Sequence, residues 1–365
     1  MDWSPQQEDA LRQVNAWLKR GSPQVFRLFG FAGTGKTTLA RHFAEGIDGE
    51  VAFGAYTGKA AHVLRQKGCP DASTIHSLIY RPKAMEEEEA PSFVINRESP
   101  ASKADLIIID ECSMVDEELG RDLLSFGVPV LVLGDPAQLP PVKGGGFFTE
   151  HEPDVMLTEV HRQARDNPII RLSLEVREGG ERLPAGDYGD SRVIRRGDVN
   201  ADIVMNCDQV LVGLNKTRRL YNRRMRELKG FRDPMPAVGE KLVCLRNDKK
   251  KGLLNGGIWT VKALREPLKG FVRMEVLPED EGRRKAVKVK ILREFFEGDA
   301  EAIPFLMRRE SDEFDYGYAM TVHKSQGSQW DDVVLFDESY AFREHRARWL
   351  YTALTRAAKR VTVVL

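Results

Sequence analysis

Residues 30–37 carry the glycines, the lysine and the threonine that a phosphate-binding loop needs. Their order, Gly-Phe-Ala-Gly-Thr-Gly-Lys-Thr, fits the pattern G-x-x-x-x-G-K followed by Ser or Thr at every fixed position. Glycines let backbone N–H groups close around phosphate oxygens, and the start of the following helix adds positive potential. Lys36 can reach the β- and γ-phosphates, and the Thr37 hydroxyl can ligate magnesium. We therefore predict a nucleoside triphosphate site held by Gly33, Thr34, Gly35, Lys36, Thr37 and Thr38.

Two carboxylates and a glutamine follow apolar runs further along the chain. Asp110 and Glu111 come directly after the run 106–109. Asp110 can hold magnesium, directly or through water, and Glu111 can polarise an attacking water as a general base. Gln138 follows the run 128–133 and could touch a γ-phosphate. Because adjacent carboxylates suit hydrolysis better than transfer to a second substrate, these residues predict a triphosphate hydrolase.

Alternating strand and helix patterns must bring these side chains together. Four apolar runs in the first half are typical of central parallel strands: 25–29, 51–55, 106–109 and 128–133. With the helical segments between them they predict an α/β fold, a doubly wound parallel sheet with helices on both faces. Residues 81–104 interrupt the pattern and predict a small hairpin. We expect one α/β domain over residues 1–161 with this hairpin inserted.

The second half of the chain repeats the α/β pattern around a segment of different texture. The pattern begins again near residue 162 and resumes at Tyr316, before a last strand at 360–364. Between about 238 and 310, short alternating segments separated by Gly, Pro and charged clusters are typical of a small β-barrel. We predict a second α/β domain formed by 162–239 and 311–365, with the β-barrel inserted at 240–310.

The composition describes a globular protein of two or three domains. The 365 residues include 55 Lys and Arg and 55 Asp and Glu, so any nucleic-acid site must be a local groove. The four cysteines lie far apart without a C-x-x-C pair, which suits a reducing cytoplasm and argues against a zinc site. No apolar run approaches the ~20 residues that cross a bilayer, and the N-terminus is not a signal peptide. We therefore expect a cytoplasmic protein without a membrane partner.

The segments around these residues resemble a known family. Residues 110–116 together with 134–142 are similar to superfamily 1 helicases, and most to the RecD and Dda branch, superfamily 1B. Further segments resemble the family's motifs in the right order: Ia at 57–61, Ib at 73–78, IV at 157–163, V at 318–327 and VI at 351–357. The predicted β-barrel insertion resembles the family's small subdomain. The resemblance covers nearly the whole chain, from Gln7 to Arg356.

The resemblance implies two RecA-like domains with ATP and Mg²⁺ bound between them. Arg162 in motif IV and Arg356 in motif VI stand where the family has arginine fingers. An arginine presents a planar fork to the charge that develops on the γ-phosphate oxygens during hydrolysis. Gly327 in motif V would also contact the nucleotide.

Two positions leave alternatives open. Gln7 stands where the family's adenine-reading glutamine lies, which implies a contact to the base. Ser4, Pro5 and Gln7 also fit a helix capping box with proline at the first helical position, and Gln7 could serve in that alone. Gln329 stands where the family commonly has a glutamate that touches the nucleotide sugar, so the selectivity for the sugar stays open.

The same resemblance implies contacts to single-stranded DNA. Small hydroxyls, imidazoles and lysines suit contacts to phosphates, which position a strand without reading its sequence. Tyr56 stands where the family usually has Pro and could stack on a base. The implied DNA contacts are Tyr56, Thr57, Lys59, Thr74, His76, Thr321, His323 and Lys324.

The function implied is that of an ATP-dependent DNA helicase that translocates 5′-to-3′ on single-stranded DNA and unwinds tailed duplexes. The hairpin at 81–104 would separate the strands, with Phe93 at its tip. A single-strand-binding protein is a candidate partner, and we expect a monomer. Three other functions stay open: a DNA-stimulated ATPase that remodels complexes without unwinding, a P-loop kinase or switch, and a nonenzymatic DNA-binding scaffold. The kinase leaves motifs IV to VI unused, and the scaffold does not explain the intact phosphate loop, carboxylates and arginines.

Overall fold

The computed structural model of the chain describes residues 3–82, 93–141, 145–159, 167–179, 183–248, 250–266, 268–279, 285–298 and 300–365. The chain divides into two compact units. Unit 1 comprises Met1–Leu183 and Arg343–Thr355, and unit 2 comprises Pro184–Phe342 and Arg356–Leu365.

Helices alternate with strands along most of the chain. In chain order, the α-helices of the described residues are α1 Pro5–Arg20, α2 Lys36–Glu45, α3 Gly58–Gln66, α4 Ile75–Ile79, α5 Glu117–Leu124, α6 Pro168–Arg177, α7 Ala201–Met205, α8 Asn215–Leu228, α9 Glu294–Glu297, α10 Phe305–Arg309, α11 Val322–Ser325 and α12 Arg346–Leu354. Short 3₁₀ helices lie at Pro100–Ser102, Cys112–Met114, Arg196–Asp198, Ala300–Ala302 and Ser339–His345.

The strands of the described residues form three larger sheets and one hairpin. In chain order they are β1 Val25–Gly30, β2 Val51–Ala55, β3 Ser73–Thr74, β4 Tyr80–Pro82, β5 Phe93–Ile95, β6 Leu106–Asp110, β7 Val130–Gly134, β8 Val155–Leu157, β9 Gly186–Tyr188, β10 Ser191–Ile194, β11 Gln209–Val212, β12 Lys241–Cys244, β13 Ile258–Leu264, β14 Phe271–Pro278, β15 Val287–Leu292, β16 Phe314–Tyr316, β17 Ala319–Thr321, β18 Trp330–Phe336 and β19 Ala357–Val364.

Unit 1 is built on a six-stranded parallel sheet in the order β3-β2-β6-β7-β1-β8. Successive side chains of β6 point to opposite faces because a strand has a period of two. Ile108 shares a core with Leu39 on one face, whereas Ile107 and Ile109 share a core with Ile75 on the other. Burial on both faces explains the continuous apolar run in the sequence. The predicted doubly wound parallel sheet is confirmed.

The predicted hairpin begins and ends with paired strands. β4 and β5 are antiparallel, with Tyr80 opposite Ile95 and Pro82 opposite Phe93. Phe93 is 60% exposed. Residues 83–92 of the predicted hairpin lie outside the described residues, and Phe93, predicted at its tip, lies in β5 opposite Pro82. The role of the hairpin in strand separation stays a prediction.

Unit 2 contains a second six-stranded sheet in the order β17-β11-β18-β19-β10-β9. Its strands are parallel except for β9, which pairs antiparallel with β10. The last strand that the sequence predicted, at 360–364, lies within β19.

A smaller antiparallel sheet in unit 2 has the order β15-β14-β13-β12-β16. β12 to β15 lie in the segment where alternation predicted short strands, whereas β16 lies where the sequence indicated a return to the α/β pattern. Ile291 of the edge strand β15 forms an isolated parallel bridge with Asp312, which lies two residues before the other edge strand, β16. The predicted insertion is therefore a five-stranded sheet, and its closure into a barrel is not confirmed.

The compact units differ from the predicted domain limits in two segments. Residues 162–183 and the segment Arg343–Thr355 belong to unit 1, although the sequence indicated the second domain for both. The physical reason is that α6 and α12 pack against each other. The predicted limits of the functional domains, 1–161, 162–239 with 311–365, and 240–310, stay a prediction.

The cysteines are free thiols, and Cys69, Cys112 and Cys244 are buried. Within the described ranges, no group of three or more His, Cys, Asp or Glu side chains is arranged to hold a metal ion. None of the described helices is both long enough and apolar enough to cross a membrane.

Candidate nucleotide-binding site and DNA-contact motifs

The phosphate loop joins the end of β1 to the start of α2. Gly33 and Gly35 have φ angles of 80° and 82°, a region that favours glycine because a Cβ atom crowds the backbone there. Gly30 is required for another reason: a Cβ would lie 2.7 Å from Thr34 Oγ1 and 2.8 Å from Leu157 Cβ. None of the described side chains caps α2. The N–H groups of its first turn are therefore suited to bind an anion.

The Lys36 ammonium lies within this loop. Its Nζ donates to Gly30 O at 2.7 Å and to Phe31 O at 3.0 Å. These bonds hold the positive charge beside the loop backbone. Phosphate oxygens would be stronger acceptors than these carbonyls because they carry charge.

Thr37 and Asp110 come together as the sequence predicts for a magnesium site. Thr37 Oγ1 donates to Asp110 Oδ2 at 3.0 Å. Thr37 lies in the first turn of α2, and Asp110 ends β6, so the parallel sheet brings the carboxyl end of one strand beside the loop of another. Both groups offer oxygen, the ligand that Mg²⁺ prefers.

Glu111 follows in a left-handed conformation, with φ 55° and ψ 46°. Asp110 Oδ1 accepts the Glu111 N–H at 2.8 Å and supports this turn.

Cys112, the next residue, packs where a side chain at Gly134 would lie. Burial, with a smaller effect of Asp110 and Glu111, raises the pKa of the Cys112 thiol well above its usual value. Cys112 is therefore a packing residue that keeps its proton.

Gln138 lies in the turn after β7. Its N–H donates to Asp135 O at 3.1 Å, and Asp135 Oδ1 accepts the Ala137 N–H at 3.0 Å. The side chain is only 7% exposed, and its Oε1 has no hydrogen-bond partner among the described residues. A buried polar atom without a partner costs about 1–3 kcal/mol and marks a place where a ligand can bind.

Two side chains of α12 contact these loops, and both are functional candidates that the sequence analysis missed. Tyr351 Oη accepts the Ala32 N–H at 3.1 Å and donates to Asp135 Oδ2 at 2.6 Å. Thr352 Oγ1 accepts the Leu139 N–H at 2.9 Å. The sequence signal that could have indicated Tyr351 and Thr352 is their place in motif VI, the segment that contains Arg356.

Arg177, at the end of α6, is a third residue that no motif indicated. Its guanidinium carbon lies 3.6 Å from the centre of the Phe31 ring, which is the geometry of a cation–π contact. Phe31 belongs to the phosphate loop, so this contact brings a positive charge to the loop from a separate helix.

Gln7 makes the capping box that the sequence left as one alternative. Its N–H donates to Ser4 Oγ at 3.3 Å, and its Oε1 accepts the Ser4 N–H at 3.0 Å. Its Nε2 also donates to Thr34 O at 3.1 Å, which ties α1 to the phosphate loop. The capping role is therefore present, and the contact to adenine stays a prediction.

The structure describes one of the two predicted arginine fingers, Arg356. Arg162 lies outside the described residues. Arg356 is buried in unit 2, and its Nη1 donates to Ser328 O at 3.3 Å. Gly327, with φ 76°, forms the turn that precedes Ser328. Motifs V and VI thus meet at this backbone, while Gln329 is exposed.

The predicted DNA contacts of unit 1 gather at one edge of its sheet. The pairing of Ala55 with Thr74 places the segments after β2 and β3 side by side. Thr57 and Thr74 cap α3 and α4 through their hydroxyl oxygens, at 3.1 Å from the backbone N–H in each case. The rings of Tyr56 and His76 meet edge to face with their centres 6.2 Å apart. Lys59 lies in the first turn of α3.

The predicted DNA contacts of unit 2 follow β17. Thr321 caps α11, its Oγ1 accepting the Lys324 N–H at 3.4 Å. His323 packs against Phe342 with ring centres 5.3 Å apart, and Lys324 is exposed. The strand–threonine–helix arrangement of Thr57 and Thr74 thus recurs here. The binding of DNA by these residues stays a prediction.

Comparison with known families defines the class of protein. A family model described as AAA domain matches residues 2–199, which is more than half of the chain. A second family model, described as UvrD-like helicase C-terminal domain, matches residues 316–364. The chain belongs to the AAA domain family, and its relatives support a place among the RecD- and Pif1-like helicases of superfamily 1B. The resemblance that the motifs indicated is confirmed.

Individual relatives make this placement more specific. The chain is similar to the ATP-dependent RecD2 DNA helicase of Deinococcus radiodurans, with 31% identity over 366 residues that cover 91% of this chain and 46% of that protein. It is similar to the ATP-dependent DNA helicase Pif1 of Bdellovibrio bacteriovorus, with 27% identity over 384 residues that cover 91% of this chain and 81% of that protein. The chain thus spans about half the length of the RecD2 relative.

A crystal structure of Bacteroides Pif1 bound to single-stranded DNA shares the fold. The TM-score is 0.58 at 20% identity, and the match covers 99% of this chain and 92% of the Pif1 chain. At this identity the likeness concerns the fold alone. It confirms RecA-like helicase domains as the predicted fold class.

Proposed function

We propose that the chain is an ATP-dependent DNA helicase that translocates along single-stranded DNA and unwinds tailed duplexes. The observation that carries this proposal is the 3.0 Å hydrogen bond between Thr37 Oγ1 and Asp110 Oδ2, because it joins the phosphate loop to the carboxylate that precedes Glu111. The RecD2 and Pif1 relatives are ATP-dependent DNA helicases by name, which supports the same activity here. The family branch implies 5′-to-3′ movement.

Thr37 and Asp110 would hold Mg²⁺ together with phosphate oxygens of ATP. Mg²⁺ in such sites is usually bound by one or two protein groups plus the substrate phosphates, and this pair fits that description. When bound, the ion would neutralise charge on the β- and γ-phosphates.

Hydrolysis would follow from the residues around the γ-phosphate. Glu111 would take a proton from the attacking water as the new P–O bond forms and the bond to the ADP oxygen breaks. Lys36 would draw charge from the β- and γ-phosphate oxygens, and Gln138 would contact the γ-phosphate. Arg162 and Arg356 would stabilise the charge on the equatorial oxygens.

Single-stranded DNA and tailed duplexes are the proposed substrates. Thr57, Thr74 and His76 of unit 1 would contact the phosphates, as would His323 and Lys324 of unit 2. Phosphate contacts release counterions, so binding should weaken as salt rises. A single-strand-binding protein remains a candidate partner, and a monomer is the proposed state.

The first test is ATP hydrolysis with and without single-stranded DNA in the parent, Lys36→Ala and Arg356→Ala proteins. We expect strong stimulation by DNA in the parent. Both substitutions should lower the stimulated kcat by about 100-fold or more, because each removes a positive charge from the transition state. Arg360→Ala is the matched control, since Arg360 lies in β19, which begins directly after Arg356, but is exposed and pairs with Asp332.

Duplexes with 5′ or 3′ tails then distinguish the remaining functions. Unwinding of the 5′-tailed duplex supports the helicase and its polarity. Stimulated hydrolysis without unwinding would favour an ATPase that remodels complexes. Hydrolysis that does not respond to DNA would contradict the motor and favour a P-loop switch.

A further inference from the structure

One tyrosine hydroxyl connects the phosphate loop to the loop that carries Gln138. Tyr351 is 2% exposed. Its oxygen accepts the Ala32 N–H at 3.1 Å, and its proton goes to Asp135 Oδ2 at 2.6 Å. Burial and the neighbouring Asp135 raise the pKa of Tyr351 well above its usual value, so the hydroxyl keeps the proton that this second bond requires. A single group thereby fixes the distance between two loops that lie more than 100 positions apart in sequence.

The neighbouring residue of α12 holds the far end of the Gln138 loop. Thr352 is fully buried, and its Oγ1 accepts the Leu139 N–H at 2.9 Å. Gln138 therefore lies between two residues, Asp135 and Leu139, that are both bonded to the same helix. The Gln138 Oε1 is buried without a partner in the described part of the chain, and the two anchors hold the backbone on either side of this residue.

The phosphate loop receives a second contact beside Tyr351. Arg177 of α6 stacks on Phe31, the residue before Ala32, and α6 packs against α12. The same pair of helices thus contacts two adjacent residues of the phosphate loop. This arrangement limits how far the loop can move independently of Asp135.

We propose that Tyr351 is a positioning residue through which the phosphate loop and Gln138 together distinguish a nucleoside triphosphate from a diphosphate. The proposal rests on the proposed function, in which Gln138 contacts the γ-phosphate. Without the hydroxyl, Ala32 and Asp135 lose their common partner, and the two loops can separate. Gln138 then loses its alignment with the γ-phosphate, whereas the contacts of the loop to the β-phosphate remain.

The test is Tyr351→Phe, with binding of AMP-PNP and ADP measured separately by calorimetry in the presence of Mg²⁺. We expect the affinity for AMP-PNP to fall about tenfold and the affinity for ADP to stay within about twofold, because the loss concerns the γ-phosphate alone. The kcat for hydrolysis should fall more than the KM for ATP changes, since alignment matters most in the transition state.

Tyr80→Phe is the matched control. The Tyr80 hydroxyl also donates to a carboxylate in unit 1, that of Asp122 at 2.5 Å, but neither residue belongs to the phosphate loop or the Gln138 loop. A general loss of stability from removing a tyrosine–aspartate hydrogen bond would appear in both variants, although the Tyr80–Asp122 bond is only partly buried. A change in the ratio of AMP-PNP to ADP affinity should appear only in Tyr351→Phe.

Thr352 provides a second pair of variants with almost unchanged shape. Thr352→Val removes the acceptor of the Leu139 N–H, and Thr352→Ser retains it. We expect Thr352→Val to lower the ratio of AMP-PNP to ADP affinity, as Tyr351→Phe does, and Thr352→Ser to retain the ratio of the parent protein. This pair decides the question if Tyr351→Phe fails to fold, which thermal unfolding would reveal.

Two outcomes would overturn the proposal. Equal weakening of the affinities for AMP-PNP and ADP would mean that Tyr351 serves only the general stability of the loop. An unchanged ratio of the two affinities in both Tyr351→Phe and Thr352→Val would contradict a role of Tyr351 in distinguishing the nucleotides. These binding measurements need neither DNA nor hydrolysis. A parent protein that hydrolyses ATP without responding to DNA would therefore contradict the motor function while leaving this inference to be decided by the ratio.

Discussion

Glu111, the residue directly after β6, has a backbone conformation that few residues other than glycine adopt. Its φ of 55° lies in the left-handed region, which costs about 1–3 kcal/mol for a residue other than glycine. The hydrogen bond from its N–H to Asp110 Oδ1 offsets part of this cost. A strained residue directly after the proposed magnesium ligand is consistent with a functional demand on the direction of its side chain. Glycine would relieve the strain but would remove the carboxylate.

Glu111→Gln should separate catalysis from binding because it keeps the size of the side chain and removes its basicity. We expect kcat for ATP hydrolysis to fall about 100- to 10,000-fold, the usual contribution of a general base, with ATP affinity within about threefold of the parent. Steady-state hydrolysis and equilibrium binding of ATP measure the two quantities. Glu117→Gln, on the exposed first turn of α5, is the control and should leave both unchanged. Retention of most of the hydrolysis by Glu111→Gln would assign the base elsewhere.

At the scale of a secondary-structure element, α1 combines a capping box with a contact to the nucleotide site. Ser4 and Gln7 exchange hydrogen bonds at the start of the helix. Gln7 alone extends to Thr34 O in the phosphate loop. The Gln7 side-chain amide therefore contacts both the start of α1 and the phosphate loop. Changing Ser4, its capping partner, separates the capping role of Gln7 from its proposed contact to adenine.

Ser4→Ala should lower the free energy of unfolding by about 1 kcal/mol, the usual effect of losing a helix cap, and leave ATP affinity unchanged. Gln7→Ala should cause a similar loss of stability and also weaken discrimination of ATP against GTP if the amide reads adenine. Denaturant unfolding and competition binding of ATP and GTP check the two effects. Equal effects of both variants on nucleotide choice would mean that Gln7 acts only as a cap.

At the scale of the whole molecule, unit 1 depends on a segment from near the end of the sequence. Trp349, Leu350, Tyr351, Ala353 and Leu354 of α12 are all buried. The helix packs against α6 within unit 1, and the chain returns to unit 2 at Arg356. A division of the chain at residue 183 therefore removes a helix from the core of unit 1.

A fragment of residues 1–183 should be less stable than the same fragment joined to residues 343–355 through a flexible Gly/Ser linker. We expect the joined fragment to unfold in a single sharp thermal transition and the shorter fragment to unfold at a lower temperature, because α6 loses the helix that covers it. Circular dichroism during heating measures the difference. Identical transitions would show that α12 adds nothing to the stability of unit 1.

The elements that could be predicted from the sequence are those whose signals are local. The run 106–109 indicated β6 because both faces of the strand are buried, and the glycines of residues 30–37 indicated a loop that binds phosphate. The contacts of Tyr351 and Thr352 could not be predicted, since their partners lie more than 200 residues away and depend on how α12 packs. The closure of the predicted barrel is not confirmed, and alternation could not have predicted it, because alternation indicates strands but not how the outer strands meet.

The return of residues 343–355 to unit 1 also sets an order of events during synthesis on the ribosome. Domains generally fold as units, with the N-terminal one first. Here the last helix of unit 1, α12, is made after residues 184–342 of unit 2 have been translated. Until then, the surface of α6 that packs against α12 stays uncovered in the nascent N-terminal unit. The half of the chain that is made first is among the last to complete its core.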